Sequence, residues 1–168
     1  MHERRLRQSA ATAGSLIDSL AGPADALWPS DRWPAMRFDR PLGVGARGGH
    51  GPIRYWIEEY EPGARIRFRF TAPAGFDGFH EYEAVPLKDE GCLFRHSMVM
   101  ETRWPATLTY PLVFRHLHDA LIEDSLDKAA DRTGTFTERP QLWNRRVRLL
   151  RLLAALFPRA ARPDPLTR

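Results

Sequence analysis

Residues 104–133 read WPATLTYPLVFRHLHDALIEDSLDKAADRT, and this stretch decides the fold. No proline follows Pro111 within it, and at about 100° per residue its apolar side chains gather on one side. The predicted apolar stripe consists of Tyr110, Val113, Phe114, Leu117, Ala120 and Leu121. The opposite side carries Arg115, Asp119, Glu123 and Asp127. Because a helix with one apolar stripe must bury it, we expect this helix to lie across a sheet.

The composition predicts one globular domain with an appendage. The chain has 168 residues, of which 43% are hydrophobic, enough for a core. It contains no apolar run of about 18 residues, and its first residues lack the apolar region of a signal peptide. The single cysteine, Cys92, excludes an internal disulfide framework and an all-cysteine metal site. We therefore predict a cytoplasmic protein.

The positive charge is concentrated at one end of the chain. Residues 139–168 contain eight arginines and one acid, for a net charge of +7, whereas residues 1–138 carry −3. The basic character of the whole chain thus comes from its tail. For this reason we predict no nucleic-acid partner for the body of the protein.

The first fifty residues predict short elements. Residues 2–8 suit an edge strand, and Ser9 can cap a helix over 10–21. Residues 24–34 suit a helical turn and a bend packed by two indoles, and 43–51 a glycine-rich bend. That bend is not predicted to hold phosphate, because it leads into a strand rather than a helix.

Strand patterns follow in quick succession. They cover residues 53–60, 65–70, 78–85 and 92–101. In the second of these, Ile66, Phe68 and Phe70 alternate with arginines and should point inward. The last two strands predict a hairpin about residues 88–91, in which opposed residue numbers sum to about 177.

This order of elements resembles the SRPBCC superfamily, the START-like, polyketide cyclase–like helix-grip proteins. The resemblance is carried by GPIRYWIEEYEPG (51–63), RIRFRF (65–70) and LFRH (93–96). It implies an α+β domain over residues 1–134, in which a curved antiparallel sheet wraps around a long C-terminal helix and leaves a cavity between them. Residues 135–168 lie outside the resemblance and form a basic helical extension. The superfamily includes lipid carriers, hormone receptors and aromatase/cyclases.

A polar set is predicted inside this apolar interior. His80 and Tyr82 share a strand face, His96 lies on the partner strand, and Asp124 falls on the apolar stripe of the helix. A buried carboxylate needs a partner or shifts its pKa. His80, His96 and Asp124 are therefore the candidates for catalysis. The alternatives are hydrogen-bonded core histidines and an Asp124 that reaches solvent. Because their spacing supports no metal site, we predict no metal.

The leading prediction is that a small, mostly apolar ligand binds between the sheet and the long helix. The predicted ligand-binding residues are Ile57, Phe68, Phe70, Tyr82, His96, Phe114 and Leu117. The first alternative, which the resemblance implies, is an enzyme similar to the aromatase/cyclases that transfers protons without a cofactor. His116 and His118 are predicted to lie on a solvated face, because two residues apart on a helix they cannot chelate one ion.

The tail supports a further alternative. Residues 143–157 predict an amphipathic helix rich in arginine, whose rise of about 22 Å is too short to span a bilayer. It can dock on its own domain along an outer seam formed by Ile122 and Leu126. It can instead lie on an anionic membrane or bind a partner protein, through residues 139–162. The sequence leaves these three alternatives open.

Overall fold

A computed structural model describes residues 1–88, 91–135 and 142–156, which form an antiparallel sheet packed against helices. The strands are β1 (His2–Leu6), β2 (Arg37–Phe38), β3 (Arg47–His50), β4 (Ile53–Glu61), β5 (Arg65–Ala72), β6 (Phe76–Pro86) and β7 (Cys92–Thr102). The helices are α1 (Ala10–Asp18), α2 (Ala106–Thr109), α3 (Arg115–Arg132) and α4 (Arg145–Leu156), with a π-helical segment, Tyr110–Phe114, between α2 and α3.

Within this described part, the seven strands form one curved sheet in the order β1-β7-β6-β5-β4-β3-β2. Every neighbouring pair is antiparallel. The first strand reaches the end of the sheet by pairing with the last, so β1 lies beside the helix that follows β7. The predicted α+β class is confirmed.

The alternation predicted for β5 is confirmed. Ile66 and Phe68 are fully buried. On the other face, arginines pair with acids of neighbouring strands: Arg67 binds Glu81, and Arg69 binds Glu58. These pairs are partly exposed and each contributes little to stability. The inward face of the strand therefore supplies most of its stabilisation.

The β6–β7 hairpin has nearly the predicted register. His96 pairs directly with Tyr82, so opposed residue numbers sum to 178 rather than about 177. His80 pairs with Met98, which makes His80 and His96 diagonal neighbours on one face. Residues 89 and 90 of the predicted turn lie outside the described residues.

The N-terminal predictions are confirmed only in part. Ser9 caps α1, since its side chain accepts a hydrogen bond from the Thr12 amide at 3.2 Å. Residues 24–34 contain bends and turns but no helix, although Trp28 and Trp33 are both buried as predicted. The bend predicted over residues 43–51 is wrong in its second half. There, Arg47–His50 pairs with β4 as a strand.

The long helix is not uniform, because its first turns are distorted. A π-helical segment interrupts it just where Pro111, which has no amide hydrogen to donate, enters the helix. The residues buried beyond this segment are Ala120, Leu121, Ile122, Asp124, Ser125, Leu126, Ala129 and Ala130. The N-terminal half of the predicted stripe stays partly exposed, which leaves it free to line a cavity.

One prediction for the outer faces of this helix is wrong, and another stays a prediction. Ile122 and Leu126 are buried in the same core cluster as Val147 of the tail helix, so their burial does not contradict a seam covered by the tail. The acidic side faces β1 rather than open solvent: Arg4 donates hydrogen bonds to Glu123 at 2.9 Å and to Asp127 at 2.6 Å. Helix α3 therefore packs against the core on one side and is hydrogen-bonded to β1 on the other.

The tail helix docks on its own domain. Val147 is buried in the core, and the Arg146 guanidinium donates to the Leu112 carbonyl at 3.2 Å. Arg151 donates to the Arg32 carbonyl at 2.6 Å. Residues 139–141 and 157–162 of the predicted contact surface lie outside the described residues. The division of the chain after residue 134 remains a prediction.

Helix α1 approaches the β4–β5 turn so closely that Gly14 has no room for a side chain. A Cβ atom there would lie 1.8 Å from the Gly63 carbonyl oxygen. We expect Gly14→Ala to lower the free energy of unfolding by about 1–3 kcal/mol, because the overlap outweighs the better helix propensity of alanine. Urea unfolding measures this. Gly43→Ala is the control, because the nearest atom is 4.0 Å away. Equal stability of both variants would contradict the packing.

Candidate ligand-binding cavity

A cavity of about 530 Å³ lies between the concave side of the sheet and the helical layer. Its walls come from the loop before β2, the β3–β4 turn, strands β5 to β7, the π-helical segment, α3 and α4. The aromatic lining residues are Trp28, Trp33, Phe70, Phe76, Tyr110 and Phe114. The aliphatic ones include Ile53, Met98, Val113, Leu117, Leu121 and Ile122. Three histidines, His50, His80 and His118, also line it. The surface is therefore mostly apolar, but it includes three imidazoles and the arginines Arg32 and Arg151.

Some residues predicted to contact the ligand lie on the cavity wall. These are Phe70, Phe114 and Leu117, together with the catalytic candidate His80. The other predicted residues, Ile57, Phe68, Tyr82 and His96, are fully buried and do not belong to the lining. They form a layer behind the wall. Direct contact between these four and a ligand remains a prediction.

Phe76 closes one end of the cavity. Its ring packs edge to face against Phe70, Tyr110 and Phe114, with centroids 5.3–5.9 Å apart. Such edge-to-face pairs are a favoured aromatic geometry. Phe79, three residues on, lies on the outer face beneath the Arg67 guanidinium at 4.2 Å. Alternation along β6 thus assigns one phenylalanine to the cavity and the other to the outer face.

His80 and His96 form a buried pair. The Nδ1 atom of His80 lies 3.2 Å from the Nε2 atom of His96, so one ring donates a hydrogen bond to the other. The second nitrogen of each ring, His80 Nε2 and His96 Nδ1, is buried without a hydrogen-bond partner among the described residues. The rings of Phe68 and Phe70 stack on His80 at 4.9 and 5.0 Å. The pair is polar and its surroundings are apolar.

His118 extends this pair toward β1, and its predicted place on a solvated face is wrong. Its ring lies 5.1 Å from that of His96, and it lines the cavity. Its Nε2 atom is buried and also has no partner among the described residues. The helical wheel placed this residue outside because the wheel did not include β1, which covers that side of the helix.

Burial keeps the imidazoles of the cavity neutral near pH 7. Desolvation lowers the pKa of His50 to about 3 and the pKa values of His80 and His96 well below their usual value. Desolvation also lowers the pKa of His118, although a hydrogen bond with Asp119 opposes the shift. A neutral imidazole can either donate or accept a hydrogen bond, depending on its tautomer.

Tyr82 is satisfied within the core. Its hydroxyl donates to the Ser125 hydroxyl at 2.9 Å, and Ser125 donates to the Leu27 carbonyl at 3.2 Å. Burial raises the pKa of Tyr82 above its usual value. These contacts tie β6 to α3 and to the loop before β2.

Asp124, the third catalytic candidate, binds protein groups. Its carboxylate accepts hydrogen bonds from the Arg32 guanidinium at 2.8 Å, the Trp33 indole at 2.7 Å and the Trp143 indole at 2.9 Å. The Arg151 guanidinium lies over both indoles, with its Cζ atom 4.3 Å from the ring centroid of Trp33 and 4.1 Å from that of Trp143. The carboxylate thus fastens the loop and the tail to α3. It does not belong to the cavity lining, and a catalytic role for it remains a prediction.

Solved structures share this arrangement. A protein from Thermobifida fusca has a TM-score of 0.56 at 17% identity, covering 85% of this chain and 97% of its own. CalU16 from Micromonospora echinospora has a TM-score of 0.55 at 16% identity, with 94% and 86% covered. Norcoclaurine synthase from Thalictrum flavum, in complex with dopamine and hydroxybenzaldehyde, has a TM-score of 0.55 at 14% identity, with 78% and 84% covered.

This protein has the helix-grip fold of SRPBCC-type proteins. At these sequence identities, the comparison confirms the fold that the sequence resemblance implied. The sequence matches no protein-family model and no curated protein. Among the residues that the structure describes, no helix of this helix-grip protein has the length and apolar character needed to cross a membrane.

Sequence reasoning missed several residues of the cavity wall. Trp28, Trp33, His50 and Arg151 all line it, yet they lie in a loop, a glycine-rich strand and the tail. The helical wheel gave no signal for them, because loop geometry and long-range docking have no periodicity. The two tryptophans beside prolines were the available signal, and they indicated a packed bend without showing what the bend encloses.

The buried histidine pair predicts that acid destabilises the protein. Because the folded-state pKa values of His80 and His96 are depressed, the unfolded chain binds more protons below about pH 6.5. The free energy of unfolding should therefore fall as the pH drops through that value, by up to about 1.4 kcal/mol per pH unit for each histidine. Urea unfolding at pH 7, 6 and 5 measures the slope.

His96→Gln should flatten this slope by up to the contribution of one histidine. Leu149→Gln, a change at an exposed position of α4, is the control, because it removes no imidazole and should leave the slope as in the parent protein. A slope that is identical in His96→Gln and the parent would contradict the assignment.

Proposed function

We propose that this helix-grip protein binds a small, mostly apolar and aromatic ligand that carries at least one hydrogen-bonding group. The observation that carries the proposal is a cavity of about 530 Å³ lined by aromatic side chains and by imidazoles, two of which have a nitrogen without a partner in the described part of the chain. Pockets for small molecules commonly measure about 300–1,000 Å³ and combine apolar walls with a few polar groups.

The aromatic walls favour a flat, apolar body. Phe70, Phe76 and Phe114 present ring edges and faces around one end, and Trp28 and Trp33 lie in the loop before β2. An aromatic ligand can continue this edge-to-face packing, and each such pair contributes about 0.5–1.5 kcal/mol beyond area burial. The aliphatic residues of α3 complete the enclosure.

The unpartnered imidazole nitrogens favour a ligand hydroxyl or carbonyl. His80 and His118 both line the cavity, and the Nε2 atom of each lacks a partner among the described residues. Leaving a buried polar atom unsatisfied costs about 1–3 kcal/mol. A ligand group that hydrogen-bonds to either nitrogen removes this cost. Norcoclaurine synthase, which shares the fold, is seen with dopamine and hydroxybenzaldehyde, and that pairing supports the ligand class proposed here.

The cavity predicts binding of a neutral fluorescent probe. N-phenyl-1-naphthylamine should bind the parent protein with increased fluorescence, because its rings match the apolar walls. Leu117→Trp places an indole in the cavity and should weaken binding by at least about tenfold, as a loss of about 1.4 kcal/mol implies. Leu149→Trp is the control, since Leu149 is 56% exposed on α4. Equal affinity of both variants would contradict binding in this cavity.

The same assay tests the polar contact. In competition with the probe, 2-naphthol should bind about 2–10-fold more tightly than 2-methylnaphthalene, as one hydrogen bond predicts. His80→Phe should remove this difference. Unchanged selectivity in that variant would exclude His80 as the contact.

A cofactor-independent enzyme similar to the aromatase/cyclases is the second candidate. A neutral imidazole on the cavity wall is the observation that favours it, because an unprotonated imidazole can accept a proton, although the lowered pKa of His80 makes it a weaker base than a free imidazole. His80 would exchange the proton, and His96 would orient its ring from behind. Asp124 would act only through other residues, since protein donors occupy its carboxylate.

The tail helix carries a third candidate function, contact with an anionic membrane or a partner protein. Docking uses the side of α4 that holds Val147 and Arg151, and it leaves Leu149, Leu152 and Leu153 exposed. Arginines flank these leucines, which is the pattern of helices that lie at a lipid surface.

If the tail binds lipid, the protein should float with vesicles that contain anionic lipid and not with neutral ones. Replacing Leu149, Leu152 and Leu153 together by serine should reduce the bound fraction severalfold, because the buried apolar area is lost. Leu108→Ser is the control, since Leu108 is exposed on α2. Flotation that persists in the triple variant would contradict lipid binding by α4.

A further inference from the structure

A cluster of nitrogen and carboxylate ligands lies where β1 meets α3, and it shares only His118 with the cavity lining. His2, at the start of β1, faces His118 and Asp119 on α3. The Nε2 atom of His2 lies 3.2 Å from Asp119 Oδ1, and the Nδ1 atom of His118 lies 3.4 Å from the same oxygen. One nitrogen from each ring and this oxygen all lie within 4.8 Å of one another.

These separations match those of ligands around one zinc ion. Zinc binds imidazole nitrogens and carboxylate oxygens at about 2.0–2.1 Å in tetrahedral geometry, which places ligand atoms about 3.3–3.4 Å apart. The pairs at 3.2 and 3.4 Å already have that spacing. The remaining separation, between the two imidazole nitrogens, is at most 4.8 Å.

The surroundings of His2 are those of a metal-ligating histidine. Its Nδ1 atom lies 2.8 Å from Glu123 Oε1, and Arg4 donates to Glu123 Oε2 at 2.9 Å. Metal-bound histidines characteristically donate their second nitrogen to a carboxylate, which fixes the tautomer. Both ring nitrogens of His2 face carboxylates, so both donate hydrogen in this arrangement. A cation would take the place of the hydrogen between His2 and Asp119.

We propose that His2, His118 and Asp119 form a binding site for a zinc-like divalent transition metal, with Glu123 orienting His2. Two imidazoles exclude a preference for magnesium or calcium, which take oxygen ligands. Three protein ligands leave a fourth position for water or another small ligand. Since His118 also lines the cavity, the metal would lie at its edge.

The sequence contains no spacing signal for this site. His2 and Asp119 are 117 residues apart and meet only because β1 pairs with β7 beside α3. Adjacent His118 and Asp119 alone would not chelate an ion from a helix face. The pairing of the first strand with the last completes the set.

Titration of the untagged full chain with zinc, after removal of metal with EDTA, tests the proposal. Isothermal titration calorimetry should show one zinc per chain, and cobalt should produce the visible absorption of a tetrahedral site. His118→Gln and Asp119→Asn should each weaken zinc binding by well over tenfold, and Glu123→Gln by about 10–100-fold. His116→Gln is the matched control and should bind as the parent does.

Zinc binding that is absent from the parent, or unchanged in both His118→Gln and Asp119→Asn, would overturn the site. Circular dichroism verifies that each variant is folded. If a variant does not fold, the imidazole proton NMR signals of the parent protein test the site instead. Zinc should then shift the His2 and His118 signals and leave that of His116, and any other pattern refutes the proposal. Binding of the naphthalene probes does not depend on this result, so failure of the metal site leaves the cavity proposal standing.

Discussion

The carboxylate of Asp124 is the constraint on which the closed structure depends. A buried carboxylate is costly unless donors surround it, and here the donors come from two distant segments, Arg32 and Trp33 in the loop and Trp143 before the tail helix. Arg151 packs against both indoles and adds a second positive charge to the same cluster. Because the loop and the tail are fastened to α3 at one point, their side chains can form the side of the cavity that the sheet leaves open.

The cavity combines two environments that a ligand must match. Aromatic rings supply most of its surface, and neutral imidazoles supply a small number of polar atoms. The layer behind the wall holds these imidazoles in place, since His96 hydrogen-bonds to His80 and Phe68 stacks on the His80 ring. The same line of histidines continues through His118 to the acids on the other side of α3. One helix therefore separates an apolar cavity from a charged cluster, and His118 belongs to both.

Much of the fold was predictable, because strand alternation and helical periodicity are local properties. The inward face of β5 and the hairpin register followed from such patterns. A part of the cavity wall was also predictable, since Phe70, Phe114 and Leu117 lie on predicted apolar faces. The prediction for His118 failed because a helical wheel has two sides, whereas α3 is covered by the sheet, by β1 and by the tail. A residue assigned to the outside of a two-sided helix can therefore be buried.

The sequence by itself determined the α+β class, the strand order along the chain and the presence of an out-of-place acid on the helix. Tertiary structure alone decided what that acid does, because its partners lie 91 and 92 residues before it and 19 after it. It also decided which histidines come together, since His2 reaches α3 only through the pairing of β1 with β7. Local patterns specify which face of a strand or helix is apolar. Which faces meet, and which polar groups they bury together, depends on contacts between residues far apart in the sequence. No local pattern contains this information.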